Sequence, residues 1–287
     1  MPTNVRAEIV AAFVDERDGG NLAGVVLDRA DLSELQMQSV AAQLALSETA
    51  FLTPAADGFR FDVFTPQVRV ADCGHATIAA FGLLAQRGRF TGTTTKHTIA
   101  GPRAIRHDDA GCIFMQQPAA RYEAGPDPRR VAASLGLSEA TAFVQPPAVA
   151  RHDVAFLIVP LPHPGMLAAI IPNMRAIEAI SATADVFGYA VFALGDHDVD
   201  ASIRMFAPRI GIPEESATGM AAGMIAAYLH DCMQGGERFS FDQGVYMHPP
   251  SPSRLRADLA FATDNTTIVD VWVGGFARAR QLRFVDA

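Results

Sequence analysis

Residues 61–84 read FDVFTPQVRVADCGHATIAAFGLL. Phe61, Val63 and Thr65 alternate with Asp62 and Phe64, the period of a strand. Pro66 interrupts the alternation, and Val68 and Val70 resume it. After Asp72-Cys73-Gly74-His75, the residues Ala76, Ala79, Ala80, Leu83 and Leu84 recur at helical spacing. The stretch therefore predicts a strand, a tight turn and a helix of small residues. Gly74 permits close backbone approach, and the first N–H groups of a helix have no partner inside it. A thiol, an imidazole and free N–H groups at the positive end of a helix suit a carboxylate or an enolate-like oxygen. Equally, Cys73 and His75 can simply pack there.

The same design returns at residues 204–231, RMFAPRIGIPEESATGMAAGMIAAYLHD. Phe206-Ala207-Pro208 echoes Phe64-Thr65-Pro66. Ile210 and Ile212 continue as a strand end, and Glu214-Glu215-Ser216-Ala217-Thr218-Gly219 opens a second Ala- and Met-rich helix. The interval from proline to helix-opening glycine is longer in this copy, so the repeat is imperfect. Two such units predict a duplicated fold, with both helices buried and a pocket lined by both helix N-termini.

At 287 residues the chain has room for one large or two ordinary domains. Hydrophobic residues make up 49% and charged residues 19%, the balance of a globular protein with a sizeable core. A net charge of −8 argues against nucleic acid or an anionic membrane as partner. It does not exclude an anionic substrate, because a helix end acts locally. Cys73, Cys112 and Cys232 are odd in number and lack CxxC spacing, a reduced pattern that points to the cytoplasm. The start of the chain is too charged for a signal peptide, and no run approaches the roughly 20 apolar residues of a membrane span.

Around the repeat, Ile9–Val14 and Gly24–Leu27 read as strands joined at Asp18-Gly19-Gly20-Asn21. Asp31–Leu44 reads as a helix with a Ser33/Gln36 capping box and a stripe of Leu35, Val40, Ala41 and Leu44. Leu46–Leu52 reads as a strand. If Leu46, Ala50 and Leu52 face inward, Glu48 lies with them and needs a partner or a raised pKa. If Ser47, Thr49 and Phe51 face inward, Glu48 is a solvated residue at a helix–strand junction, and the alternation alone favours this. Thr93–Ala100 reads as an exposed strand. Gly101–His107 and Gly111–Gln116 read as a hairpin, and Pro118–Pro128 as a linker. Asp127–Leu135 and Met166–Ile180 are helical, the latter broken at Pro172. Val154–Val159, Val186–Leu194, Arg254–Phe261, Ile268–Val273 and Ala277–Val285 are strands. The implied division is residues 1–117, residues 125–275, and a final strand in 276–287 that can return to the first domain.

There is no HExxH motif, no zinc-spaced Cys/His set, no P-loop, no GxGxxG after the first strand and no G-x-S-x-G elbow. His152-Asp153 and Asp196-His197-Asp198 read as solvated loops rather than metal sites, and Trp272 as core. What remains is Glu48, Cys73, His75 and Glu215, acids and bases with no metal and no cofactor indicated. That set fits proton transfer at a carbon next to a carbonyl.

The motifs Gly20-Asn21, Ser47-Glu48-Thr49-Ala50-Phe51, Phe64-Thr65-Pro66, Cys73-Gly74-His75-Ala76-Thr77, Phe206-Ala207-Pro208, Gly211-Ile212-Pro213-Glu214 and Ala217-Thr218-Gly219, with Gln243-Gly244 and Gly274-Gly275, resemble the PhzF-like phenazine-biosynthesis proteins. The resemblance spans nearly the whole chain. It implies an α/β diaminopimelate-epimerase-like fold of two pseudo-symmetric domains, each a curled mixed sheet around a central helix. It also implies a homodimer and a cofactor-free isomerase in which a glutamate moves a proton. The best-known substrate of the family is trans-2,3-dihydro-3-hydroxyanthranilate. Glu48 and His75 match the family's glutamate and histidine. Glu215 stands where the family has an aspartate, Ser216 where it has a proline and Met220 where it has a serine. Met247-His248-Pro249-Pro250-Ser251 lacks a family arginine. The implied catalytic residues are Glu48, His75 and Glu215. The implied substrate-binding residues are Asn21, Cys73, Gly74, Thr218, Gly219 and Met220, for a small substrate carrying a carboxylate.

Two other readings stand beside this one. A racemase or epimerase of similar fold would use two cysteines, but only Cys73 is in place, and Thr218 occupies the second position. A non-catalytic small-molecule binder that kept the fold is the other, favoured by the changes at Glu215, Ser216 and Met220.

Overall fold

The computed structural model describes residues 4–195, 198–233 and 235–287. The chain forms two compact units, Met1–Gln116 with Gly274–Ala287, and Gln117–Val273.

In the first unit, β1 (Asn4–Val14) and β2 (Asn21–Leu27) form an antiparallel hairpin. Helix α1 (Glu34–Leu44) starts at Ser33, whose hydroxyl and the Gln36 side chain close the expected capping box. It buries Met37, Val40, Ala41 and Leu44, while Leu35 is 84% exposed. This corrects the expected stripe: five residues from Leu35 to Val40 turn the helix by about 500°, so Leu35 faces away. Ala45 in the left-handed region (φ 54°) stops the helix. Strand β3 (Thr49–Ala55) then runs parallel to β2, and β4 (Gly58–Phe64) returns antiparallel to it. The short β5 (Arg69–Val70) folds back on β4, and α2 (Gly74–Gln86) follows, buried from Gly74 to Leu84. Strand β6 (Gly92–Thr98) is parallel to β4, and β7 (Gly101–His107) and β8 (Ile113–Pro118) form the expected hairpin. The expectation of an exposed strand at Thr93–Ala100 fails at its centre, where Lys96 is fully buried.

Small residues let α2 lie directly on the sheet. A Cβ added at Gly82 would fall 2.4 Å from the Cβ of Ala277 in the last strand, so only glycine fits. Phe81 fills the remaining space edge-on to Phe59 and Phe90.

In the second unit the expected linker contains a strand. β9 (Arg121–Ala124) pairs antiparallel with β10 (Ala148–Arg151), since the prolines at 118, 126 and 128 flank residues 121–124 without interrupting them. Helix α3 (Pro128–Ser134) is capped by Asp127. Strand β11 (Ala155–Leu161) is wholly buried and parallel to β12 (Gly188–Leu194). Their crossover carries α4 (Pro164–Ala169) and α5 (Met174–Ala184), with Pro172 between. Strand β13 (Ala201–Ala207) is antiparallel to β12. A 3-10 turn at Pro208–Ile210 and Gly211 (φ 81°) reverse the chain into β14 (Ile212–Glu215), which returns along β13. Then come α6 (Gly219–Cys232), β15 (Arg238–Gln243) parallel to β13, and β16 (Ser253–Phe261) antiparallel to β15. β17 (Ile268–Asp286) is one continuous strand rather than two separated at Gly274-Gly275. Its C-terminal part lies in the first unit and pairs with β1, from Asn4 opposite Asp286 to Val14 opposite Phe276. Asp196 and His197 of the Asp196-His197-Asp198 stretch lie outside the described residues.

The internal repeat is topological. In the first unit β5 is antiparallel to β4, a buried helix follows, and β6 runs parallel to β4. In the second, β14 is antiparallel to β13, α6 follows, and β15 runs parallel to β13. Each helix also carries one glycine pressed on its surroundings: Gly223 would place a Cβ 2.7 Å from Gln117 Oε1 and 2.8 Å from Val273 Cγ2.

Candidate functional site

Glu48 is the last residue before β3, not a residue within it. The left-handed Ala45 throws the chain out of α1, and the Glu48 carbonyl accepts the Gly24 amide at 3.0 Å, fixing the junction against β2. The junction position matches the second of the two sequence readings, yet the side chain is not solvated. It is 13% exposed, and its Oε2 lies 3.2 Å from Nε2 of His75, itself 3% exposed. The Ser47 hydroxyl lies 3.4 Å from the same nitrogen. Cys73 Sγ lies 3.5 Å from Nδ1 of the same ring. Cys73 is the extended residue before α2, and Gly74 and His75 are the first two residues of the helix.

The three groups set each other's protonation. Burial raises the pKa of Glu48. The His75 ring beside it, with the Ser47 hydroxyl, lowers it by more, so the carboxyl sits below its ordinary 4.5. Of the two ways a shielded Glu48 could be met, a partner or a raised pKa, the structure supplies the partner: the cation beside Glu48 outweighs its desolvation. Burial lowers the pKa of His75, but the Cys73 sulfur and then Glu48 raise it, and the result lies well above 6.5. Cys73 is raised above 9.0, by burial first, against the opposing charge of His75. Near neutral pH the set is thus a carboxylate, an imidazolium and a thiol, and Glu48 is the anion that faces His75.

Glu48, Cys73 and His75 donor atoms lie within 4.8 Å of one another. The thiol lies nearest Nδ1 and the carboxylate nearest Nε2, and the two are themselves within 4.8 Å of each other.

A second support of the turn went unread in the sequence. Asp72 Oδ1 accepts the Cys73 amide at 2.7 Å and the Lys96 ammonium at 2.5 Å. A lone lysine in a Thr-rich strand carries no pattern that marks it as buried. Asn21, at the start of β2, is buried.

The start of α6 is held differently. Glu214 and Glu215 look equivalent in sequence, but Arg204 clamps Glu214 with two bonds of 2.8 and 2.9 Å. The remaining Arg204 nitrogen donates to the carbonyls of Leu167 and Ile170. Glu215 instead accepts the Thr218 hydroxyl at 2.7 Å. Fully buried Gln243 accepts the Thr218 amide at 3.0 Å and donates to the Glu215 carbonyl at 2.8 Å. Gly219 opens the helix and half-buried Met220 follows it. Thus Glu215, Thr218, Gly219 and Met220 are gathered at one helix start, and Glu48, Cys73, Gly74 and His75 at the other. Among the described residues, no helix is long and apolar enough to cross a membrane.

The family model for phenazine biosynthesis-like protein matches residues 10–279. An uncharacterized isomerase of Deinococcus radiodurans is 38% identical over 231 residues, 77% of this chain and 74% of that protein. The trans-2,3-dihydro-3-hydroxyanthranilate isomerase of Pseudomonas aeruginosa is 32% identical over 96% of this chain and 97% of its own. Among solved structures, a PhzF-family phenazine biosynthesis protein of Bacillus anthracis superposes with a TM-score of 0.87 at 24% identity, covering 99% of both chains. A hydroxyproline epimerase of Agrobacterium vitis shares the fold at a TM-score of 0.61 and 14% identity, over 99% of this chain and 91% of that one. The chain belongs to the phenazine biosynthesis-like (PhzC-PhzF) family.

Proposed function

We propose that this member of the phenazine biosynthesis-like family is a cofactor-independent isomerase, moving a proton by general acid–base catalysis on a small carboxylate-bearing substrate. Glu48 and His75 handle the proton. The observation that carries the reading is the pair itself, 3.2 Å apart with His75 buried and Glu48 part-buried, one group able to accept a proton and the other to give one. The names of the relatives support the reaction class.

The Glu48 carboxylate removes a proton from a carbon next to a carbonyl or conjugated acid. The electron pair moves onto the oxygen, where the His75 imidazolium and the amides opening α2 oppose the charge. The proton then returns to a different carbon, so atoms and electrons balance without an external oxidant or reductant. A two-cysteine epimerase lacks its second base, because the Thr218 hydroxyl is spent as a donor to Glu215.

The test is deuterium wash-in. Purified protein is incubated in deuterium oxide with trans-2,3-dihydro-3-hydroxyanthranilate and a panel of small carboxylic acids. Exchange or isomerisation of at least one compound is expected, with Glu48→Gln folded and slowed by orders of magnitude. A Glu48→Gln variant as active as the parent would refute the assignment.

A further inference from the structure

Lys96 carries a buried charge that the proton-handling pair does not use. Lys96, at the centre of β6, is fully buried, and its ammonium meets Asp72 Oδ1 at 2.5 Å, Thr77 Oγ1 at 2.9 Å and Met115 Sδ at 3.1 Å. It also sits 5.0 Å from the centre of the Phe61 ring. Two of these partners grip a single residue. The same Asp72 oxygen accepts the Cys73 amide at 2.7 Å, and the Thr77 hydroxyl donates to the Cys73 carbonyl at 2.7 Å. The Thr77 amide reaches that carbonyl too, at 3.1 Å.

We propose that Lys96 is a positioning residue for the reaction. By tying Asp72 to Thr77 it clamps the Cys73 backbone at both its N–H and its C=O, and it neutralises the carboxylate that adjoins the Cys73-Gly74-His75 turn. A buried ammonium is costly to desolvate, and a packing role alone would be met by an apolar side chain. A cation balanced against Asp72 keeps a further negative charge from acting on His75, whose proton is then held by Cys73 and Glu48. The ionisable groups around the ring are then Glu48 from the junction before β3, Cys73 from its own turn, and behind the turn Asp72 with Lys96 from β6. Burial lowers the pKa of Lys96 and Asp72 raises it, with burial the larger.

The proposal rests on Glu48 and His75 as the working pair, but its test needs no turnover, so the two can fail separately. The His75 ring is titrated by NMR in the parent, in Lys96→Met and in the double variant Lys96→Met with Asp72→Asn. In Lys96→Met, the unopposed Asp72 carboxylate holds the imidazolium to higher pH. A like-signed set of two anions near one cation shifts it by roughly 1 pH unit, the low end of the effect of a neighbouring charge. The double variant brings the midpoint back to the parent's. A folded Lys96→Met with an unmoved midpoint overturns the proposal, as does a shift that Asp72→Asn fails to reverse. Should Lys96→Met not fold, Lys96→Gln, which keeps a donor for Asp72 without the charge, carries the same comparison. Failure of both single variants to fold assigns Lys96 to folding rather than to the site, and overturns the proposal too.

Discussion

Replacing Glu48 by glutamine removes the anion 3.2 Å from the His75 ring while keeping its shape. Two unit charges at that separation attract by about 5 kcal/mol at an effective dielectric constant of about 20. Part of this offsets the burial of both groups, so the net is better set by measured buried pairs, where removing one partner costs roughly 3–5 kcal/mol. Here the stranded partner can escape by losing its proton, which makes the cost depend on pH. His75 is raised in the folded state. Its contribution is therefore complete below its ordinary 6.5 and is lost as pH rises through the higher folded value. Glu48 is lowered, so its contribution is complete above its ordinary 4.5 and is lost as pH falls through the folded value. The pair stabilises fully between those two values. Glu48→Gln should cost roughly 2–4 kcal/mol near pH 5.5, where the imidazolium is stranded, and visibly less near pH 9, where it has begun to neutralise. Urea unfolding at the two pH values measures the difference, and NMR shows the His75 midpoint falling by roughly 1–3 pH units. Equal losses at both pH values, or an unmoved His75, would refute the ion pair.

Gly82→Ala places a methyl 2.4 Å from the Cβ of Ala277 and should cost roughly 1–3 kcal/mol in denaturant unfolding, as overpacking does. Arg204→Met strands part-buried Glu214 and should cost roughly 2–4 kcal/mol, most of it regained when Glu214→Gln is added; no recovery would show that the clamp is not an isolated pair. The parent is expected to turn over trans-2,3-dihydro-3-hydroxyanthranilate poorly, and Glu215→Asp with Met220→Ser to improve it. A missing hydroxyl that leaves a substrate group unpaired costs roughly 1–3 kcal/mol, or about 5- to 150-fold in rate. Sedimentation at micromolar concentration should give a dimer, and a monomer would count against the assembly expected from the resemblance.

How far these residues could be read in the sequence depends on whether a local pattern or a distant partner decides their place. Both buried helices were legible because Ala, Gly and Met at helical spacing, opened by glycine after an extended turn, recur twice. The matched pairing of β4 with β5 and β6, and of β13 with β14 and β15, is the structural form of that recurrence. The cap of α1 was legible for the same reason, since Ser33 and Gln36 are three residues apart. Glu48 was not decidable from alternation, because the strand begins one residue after it. What turns its side chain inward is His75, 27 residues later, and the Gly24 amide, 24 residues earlier. β9 looked like a linker because its strand character is supplied by β10. Lys96 is the extreme case. Its composition and neighbours describe a solvent-facing strand, and a carboxylate 24 residues away, with Thr77 and Met115, makes its burial tolerable. Short-range rules find where a helix begins; they do not find which charge, folded in from elsewhere, stands behind that beginning. In this chain Glu48 with His75 and Lys96 with Asp72 are both long-range pairs of opposite charge, contacts that periodicity cannot reach.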